Sequence, residues 1–154
     1  MFETIRIETD DRGVATLKLA RPDKHNALSG DMTVELAAAA AQLNADPKVR
    51  AVILTGEGAS FCAGGDLGWM QLQMGATREG RMEEAMKFAR MLGALNSMDK
   101  PLIRKINGQA FGGGIGMMSV CDVAVAAQGA RFGLTEVRLG LIPATISPYV
   151  VARM

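Results

Sequence analysis

The sequence is poor in aromatics, histidine and cysteine, and each shortage removes a class of function. Aromatic residues make up 5% of the 154 positions, too few for the stacking platforms of a single-stranded nucleic-acid binder. One histidine, His25, cannot make a His-rich metal site. The two cysteines, Cys62 and Cys121, form neither a disulfide framework nor a metal knuckle, so no metal is expected. Charge of one sign is also lacking: 17 Lys and Arg against 16 Asp and Glu leave a net +1, no strong field for nucleic acid or an anionic membrane. No apolar run approaches the roughly 20 residues of a transmembrane helix, and Met1–Arg6 has no basic stretch leading into an apolar core. The expectation is a soluble, cytoplasmic protein in a reducing compartment, with neither nucleic acid nor membrane as partner.

What is present reads as one ordinary domain over residues 1–154, with 49% apolar and 21% charged residues. Residues 3–9 and 14–20 alternate polar and apolar around the turn Asp10-Asp11-Arg12-Gly13, which predicts a β-hairpin. After the loop at residues 21–26, Ser29 or Asp31 caps a helix carrying Met32, Leu36, Ala39 and Leu43 at helical spacing. Strands are expected at 49–55, 101–106 and 123–127. A second long helix is expected over 79–97, with Met82, Met86, Ala89, Leu92 and Leu95 on one face, and a buried helix opens at Gly112. The alanine run 37–41 and the methionine-rich faces read as close helix packing and core filling. Alternating strands and helices argue an α/β fold with crossover connections.

Gly64-Gly65 and Gly112-Gly113-Gly114 each stand between a strand and a probable helix. The first N–H groups of a helix have no internal partner and sit at the positive end of its dipole, so such a junction can hold developing negative charge. Phosphate-binding patterns fail on spacing. The sixth position from Gly112 is Met117 rather than glycine, and no Gly-Lys-Ser/Thr or Gly-x-Ser-x-Gly occurs. Cys62 and Cys121 read as small buried residues, and Asp66 as a helix cap.

In order, the motifs are Arg21-Pro-Asp-Lys-His-Asn-Ala-Leu28, Phe61-Cys-Ala-Gly-Gly-Asp-Leu67, the run from Lys100-Pro101 to Gly112-Gly-Gly114, Cys121-Asp122, and Arg131-Phe-Gly-Leu-Thr-Glu-Val-Arg-Leu-Gly-Leu141. The series closely resembles the crotonase (enoyl-CoA hydratase/isomerase) superfamily. The resemblance implies a ββα spiral core that binds acyl-CoA thioesters and stabilises a thioester enolate. It places the two oxyanion-binding N–H groups at Gly65 and Gly113. Lys24, Ala27 and Leu28, with Ala63, Gly64, Gly65, Asp66 and Leu67, match the segments lining the CoA and acyl pocket. No separate cofactor is implied, because CoA is part of the substrate. The alternatives for single residues are a solvated charge at Lys24 and an ion pair of Glu136 with Arg131 or Arg138.

The sequence departs from the pattern in two places. Two-glutamate hydratases carry a Glu two residues after the third glycine, where this chain has Gly116, while the second glutamate is kept as Glu136. Family members continue past the position of Met154 into helices that cover the site and support homotrimers or hexamers, so a C-terminal helical part is missing from this sequence. Residues 143–154 also replace a Gly-Gly-Thr-Gln-rich stretch; their Ala-Thr-Ile-Ser-Pro form resembles the branch hydrating methylglutaconyl-CoA or carboxygeranoyl-CoA. The expected activity is hydration of a 2-enoyl-CoA with Glu136 as acid/base, within acyl-CoA degradation. A 3-enoyl to 2-enoyl-CoA isomerase and a non-catalytic acyl-CoA-binding protein are the alternatives.

Overall fold

The computed structural model describes residues 1–153. In chain order its elements are β1 (Ile5–Thr9), β2 (Val14–Leu19), α1 (Gly30–Ala45), β3 (Ala51–Gly56), β4 (Ser60–Cys62), α2 (Leu67–Gly75) and α3 (Arg78–Asn96). They continue with β5 (Leu102–Ile106), β6 (Gln109–Phe111), α4 (Gly113–Ser119), β7 (Val123–Ala126), β8 (Phe132–Gly133) and α5 (Ser147–Val151).

The predicted hairpin forms, with Ile7 opposite Leu17. Its turn is tied by Asp10, whose Oδ1 accepts from the Arg12 and Val14 N–H groups at 3.0 Å each. Along β2 the alternation has its physical meaning: Ala15, Leu17 and Leu19 are fully buried. From β2 onward every pairing is parallel, giving a five-stranded sheet β1-β2-β3-β5-β7 and a separate three-stranded sheet β4-β6-β8. Parallel neighbours require crossovers, and α1 and α3 supply them, packing against each other over the core. Of the two candidate caps for α1, Ser29 is the one used, accepting from the Met32 N–H at 3.2 Å. Ala39 and Ala40 are buried within α1, as close helix packing requires.

The long helix α3 lies within a residue of its expected limits, but its face differs from the expectation. Met91, Leu92 and Leu95 are buried, whereas Met82 and Met86 are half exposed, at 56% and 50%. The apolar stripe is fully buried only in the last turns, with Phe88 partly buried against the core. Both cysteines are buried, and burial pushes the Cys62 thiol up to about 12, which makes it a core residue and no nucleophile.

One core residue is charged. Arg104 on β5 is fully buried and donates from Nε to the Met117 carbonyl at 3.0 Å, tying the large sheet to the last turn of α4. Burial holds its guanidinium down to about 10. No helix among the described residues is long and apolar enough to cross a membrane.

Candidate active site

The three parallel strands of the small sheet each end at one functional position, and their short length brings those positions together. β4 leads through Ala63 and Gly64 to Gly65 and α2. β6 leads to Gly112 and Gly113, which opens α4. β8 leads to Glu136, the first residue of a 3-10 turn over Glu136–Leu139. The two glycine turns are in van der Waals contact: a Cβ on Gly64 would lie 3.2 Å from the Phe111 carbonyl oxygen and 3.9 Å from Gly112 Cα. Both residues have positive φ, +97° at Gly64 and +49° at Gly112, a region that side chains disfavour. Glycine here permits both the turn and the close approach.

Several neighbouring backbone donors are committed, while the Gly64 and Gly114 N–H groups have no acceptor among the described residues. Ala63 N–H donates to the His25 carbonyl at 3.0 Å, Leu28 N–H to Gly64 at 2.8 Å, and Asp66 N–H to Leu28 at 2.9 Å. Gly112 N–H donates to the Gly133 carbonyl at 3.1 Å. Among the described residues, the N–H groups of Gly65 and Gly113 are left without an acceptor. Exposed donors of this kind suit a developing oxyanion.

Glu136 faces the same point. A Cβ on Gly112 would sit 3.3 Å from Glu136 Oε1, so the carboxylate lies directly over the glycine turn. Its Oε2 is buried and has no hydrogen-bond partner. Neither Arg131 nor Arg138 forms an ion pair with it among the described residues. A carboxylate oxygen withdrawn from water and left unpaired is costly.

These groups line one cavity of about 590 Å³, within the range of small-molecule sites. All the predicted pocket residues are on its wall: Lys24, Ala27, Leu28, Ala63, Gly64, Gly65, Asp66, Leu67, Gly113 and Glu136. Lys24 is exposed at the rim, beside the left-handed pair His25 and Asn26. That loop is stitched down by buried Asn26, whose Nδ2 donates to the Glu57 and Ser60 carbonyls at 2.9 and 2.8 Å. The wall also holds Phe88, Met70 and Ile146, which the sequence did not single out. Phe88 and Leu28 pack on Gly113, where a Cβ would come 3.3 Å from Phe88 Cζ.

Asp66 lines the cavity while its carboxylate is engaged elsewhere. It caps α2 by accepting from the Trp69 N–H at 3.0 Å, and it pairs with Arg21 at 2.8 Å. The Trp69 N–H, with the Arg21 guanidinium, holds its carboxyl below the usual range. A carboxyl with a depressed folded pKa contributes stability that is present at neutral pH and lost as pH falls through the folded value. Asp66→Ala should therefore lower stability by about 1–2 kcal/mol at neutral pH. The gap to the parent should shrink below about pH 4, as thermal melts across pH will show.

The α/β core thus sets the Gly65 and Gly113 N–H groups and the Glu136 carboxylate around one cavity. The expected crotonase-like ββα spiral core is present. The profile of the enoyl-CoA hydratase/isomerase family matches residues 9–154, and the chain belongs to that family. An enoyl-CoA hydratase of Alternaria alternata is 40% identical over 139 residues, covering 90% of this chain and 45% of the relative. A 4-chlorobenzoyl coenzyme A dehalogenase of Arthrobacter is 37% identical over 153 residues, covering 97% and 54%. The crystal structure of an enoyl-CoA hydratase from Shewanella pealeana superimposes with a TM-score of 0.94 at 37% identity, covering 97% of this chain and 56% of that one. The chain thus spans about half the length of the curated relatives it matches.

Proposed function

We propose that this site binds an acyl-CoA thioester, stabilises its enolate through the Gly65 and Gly113 N–H groups, and hydrates a 2-enoyl-CoA. The observation that carries the reading is the buried, unpartnered Oε2 of Glu136 in the cavity that Gly65 and Gly113 also line, their N–H groups having no acceptor among the described residues. In the proposed step, water oxygen bonds to Cβ while its proton passes to Glu136. The double-bond electron pair moves onto the thioester oxygen, which the two N–H groups hold. Collapse of the enolate returns the proton from Glu136 to Cα, so the net change is addition of one water. Preorganised donors aimed at that oxygen lower such a barrier by several kcal/mol. The names of the hydratase relatives support the reading.

A second reading, 3-enoyl to 2-enoyl-CoA isomerisation, is favoured by a specific observation: no side chain can stand at Gly116, where Ile146 fills the space. A purely acyl-CoA-binding role fits less well, since it gives no reason for a buried, unpaired carboxylate oxygen beside the glycine turn. Coupled assays with 2-enoyl-CoA and 3-enoyl-CoA test all three. Turnover of either supports enolate chemistry, and binding without turnover of both removes it.

Exposed Lys24 at the rim suits the phosphate end of CoA. Exposed ion pairs contribute about 0.2–1 kcal/mol. Lys24→Ala should accordingly weaken acyl-CoA binding a few-fold at unchanged kcat, as titration calorimetry and initial rates will show.

A further inference from the structure

Two of the chain's departures from the family pattern, Gly116 and the segment from Pro143 onward, meet in one contact. Gly116 lies one residue short of a full turn beyond Gly113 on α4, and is buried. A Cβ built on it would overlap Ile146 Cγ2 and come within 2.8 Å of Ile146 Cβ. Ile146 is 2% exposed and lines the same cavity as Glu136, Gly65 and Gly113. Nor is it free to swing away. Its carbonyl accepts from the Tyr149 and Val150 N–H groups at 3.1 Å each, opening α5, and α5 packs on α4. The preceding turn is tied by Ser147 Oγ donating to the Pro143 carbonyl at 2.6 Å.

We propose that Ile146 is a specificity-determining residue, an aliphatic plug in the space of a side chain at position 116. By excluding a second carboxylate at position 116, it lowers hydration relative to double-bond shift, compared with a site that carries a glutamate there. The inference rests on the acyl-CoA reading above and deepens it.

The two reactions make different demands on this wall. In isomerisation Glu136 takes the Cα proton of a 3-enoyl thioester, and the C–H electron pair moves toward the carbonyl oxygen to give a dienolate. The dienolate takes the proton back at Cγ, leaving the double bond between Cα and Cβ. One carboxylate suffices, and water takes no part. Hydration instead needs a water oriented at Cβ while it gives its proton to Glu136, and Ile146, Leu28 and Phe88 offer that water no hydrogen bond. A carboxylate at position 116 would supply the anchor, but only if Ile146 were gone.

The test compares the parent chain with G116E, I146G and G116E/I146G. Glycine is chosen at 146 because alanine would keep the Cβ that obstructs position 116. If Ile146 is the plug, G116E melts lower than the parent and the double variant regains part of the loss. The ratio of 2-enoyl-CoA hydration to 3-enoyl-CoA isomerisation rises in the double variant at least about tenfold, since a placed acid/base typically contributes 10²–10⁴-fold. A G116E chain as stable as the parent overturns the plug, and an unmoved ratio in a folded double variant overturns its role in specificity. A parent chain that turns over neither thioester overturns the enolate reading, and the specificity role with it, while the melting comparison still decides the plug.

Discussion

Replacing Glu136 with glutamine is expected to cost at least about a hundredfold in turnover with acyl-CoA affinity nearly unchanged, because general acid–base catalysis contributes 10²–10⁴-fold. Glutamine keeps the size and part of the hydrogen bonding but cannot exchange a proton at neutral pH. The structure leaves no obvious substitute. Asp66 is engaged with Arg21 and the Trp69 N–H, and position 116 has neither a side chain nor room for one. A structural role predicts the opposite pattern, a lower melting temperature with turnover per folded molecule preserved. Melting temperature, ligand affinity and initial rate on one preparation separate the two, and activity surviving within threefold would remove Glu136 as the acid/base.

Gly113→Pro is expected to lower turnover by about 10²–10³-fold, the usual cost of one oxyanion donor, without unfolding the protein. Gly113 is the first residue of α4, the helix position where proline is best tolerated and where the N–H has no helical acceptor. The substitution therefore removes the proposed donor and little else of the backbone. Its Cβ would press on Leu28 Cδ1 and Phe88, so Gly113→Ala is the control: it adds that Cβ and keeps the N–H. Initial rates of the two variants check the assignment. Equal losses would mean that crowding, and not the donor, matters at this position.

The large sheet was legible because its strands carry period-2 or continuous apolar patterns, as at Ala15, Leu17 and Leu19. The small sheet was not. β4, β6 and β8 are three, three and two residues long, too short for any periodicity, yet they set the site. Gly64-Gly65 and Gly112-Gly113 were readable as strand-to-helix junctions, and Asp66 as a cap, since each follows from local chemistry. That the glycine turns touch, and that Glu136 lies over them free of Arg131 and Arg138, depends on strand pairing between residues far apart in sequence. Met82 and Met86 show the converse limit: helical spacing gives a stripe but not how much of it finds a partner. Gly116 and the segment from Pro143 read as two separate departures, and only packing shows that Ile146 makes them one.

If Glu136 and the two backbone donors form and hold a thioester enolate, the bound thioester must exchange its Cα protons with solvent. A saturated acyl-CoA incubated with the protein in D₂O can neither be hydrated nor isomerised, so loss of its Cα proton signal by NMR reports enolate formation alone. Exchange is expected well above the buffer rate with the parent chain and lower by about a hundredfold or more in both Glu136→Gln and Gly113→Pro. Exchange no faster than buffer with the parent, or equal exchange in Glu136→Gln, would remove the enolate role of these groups.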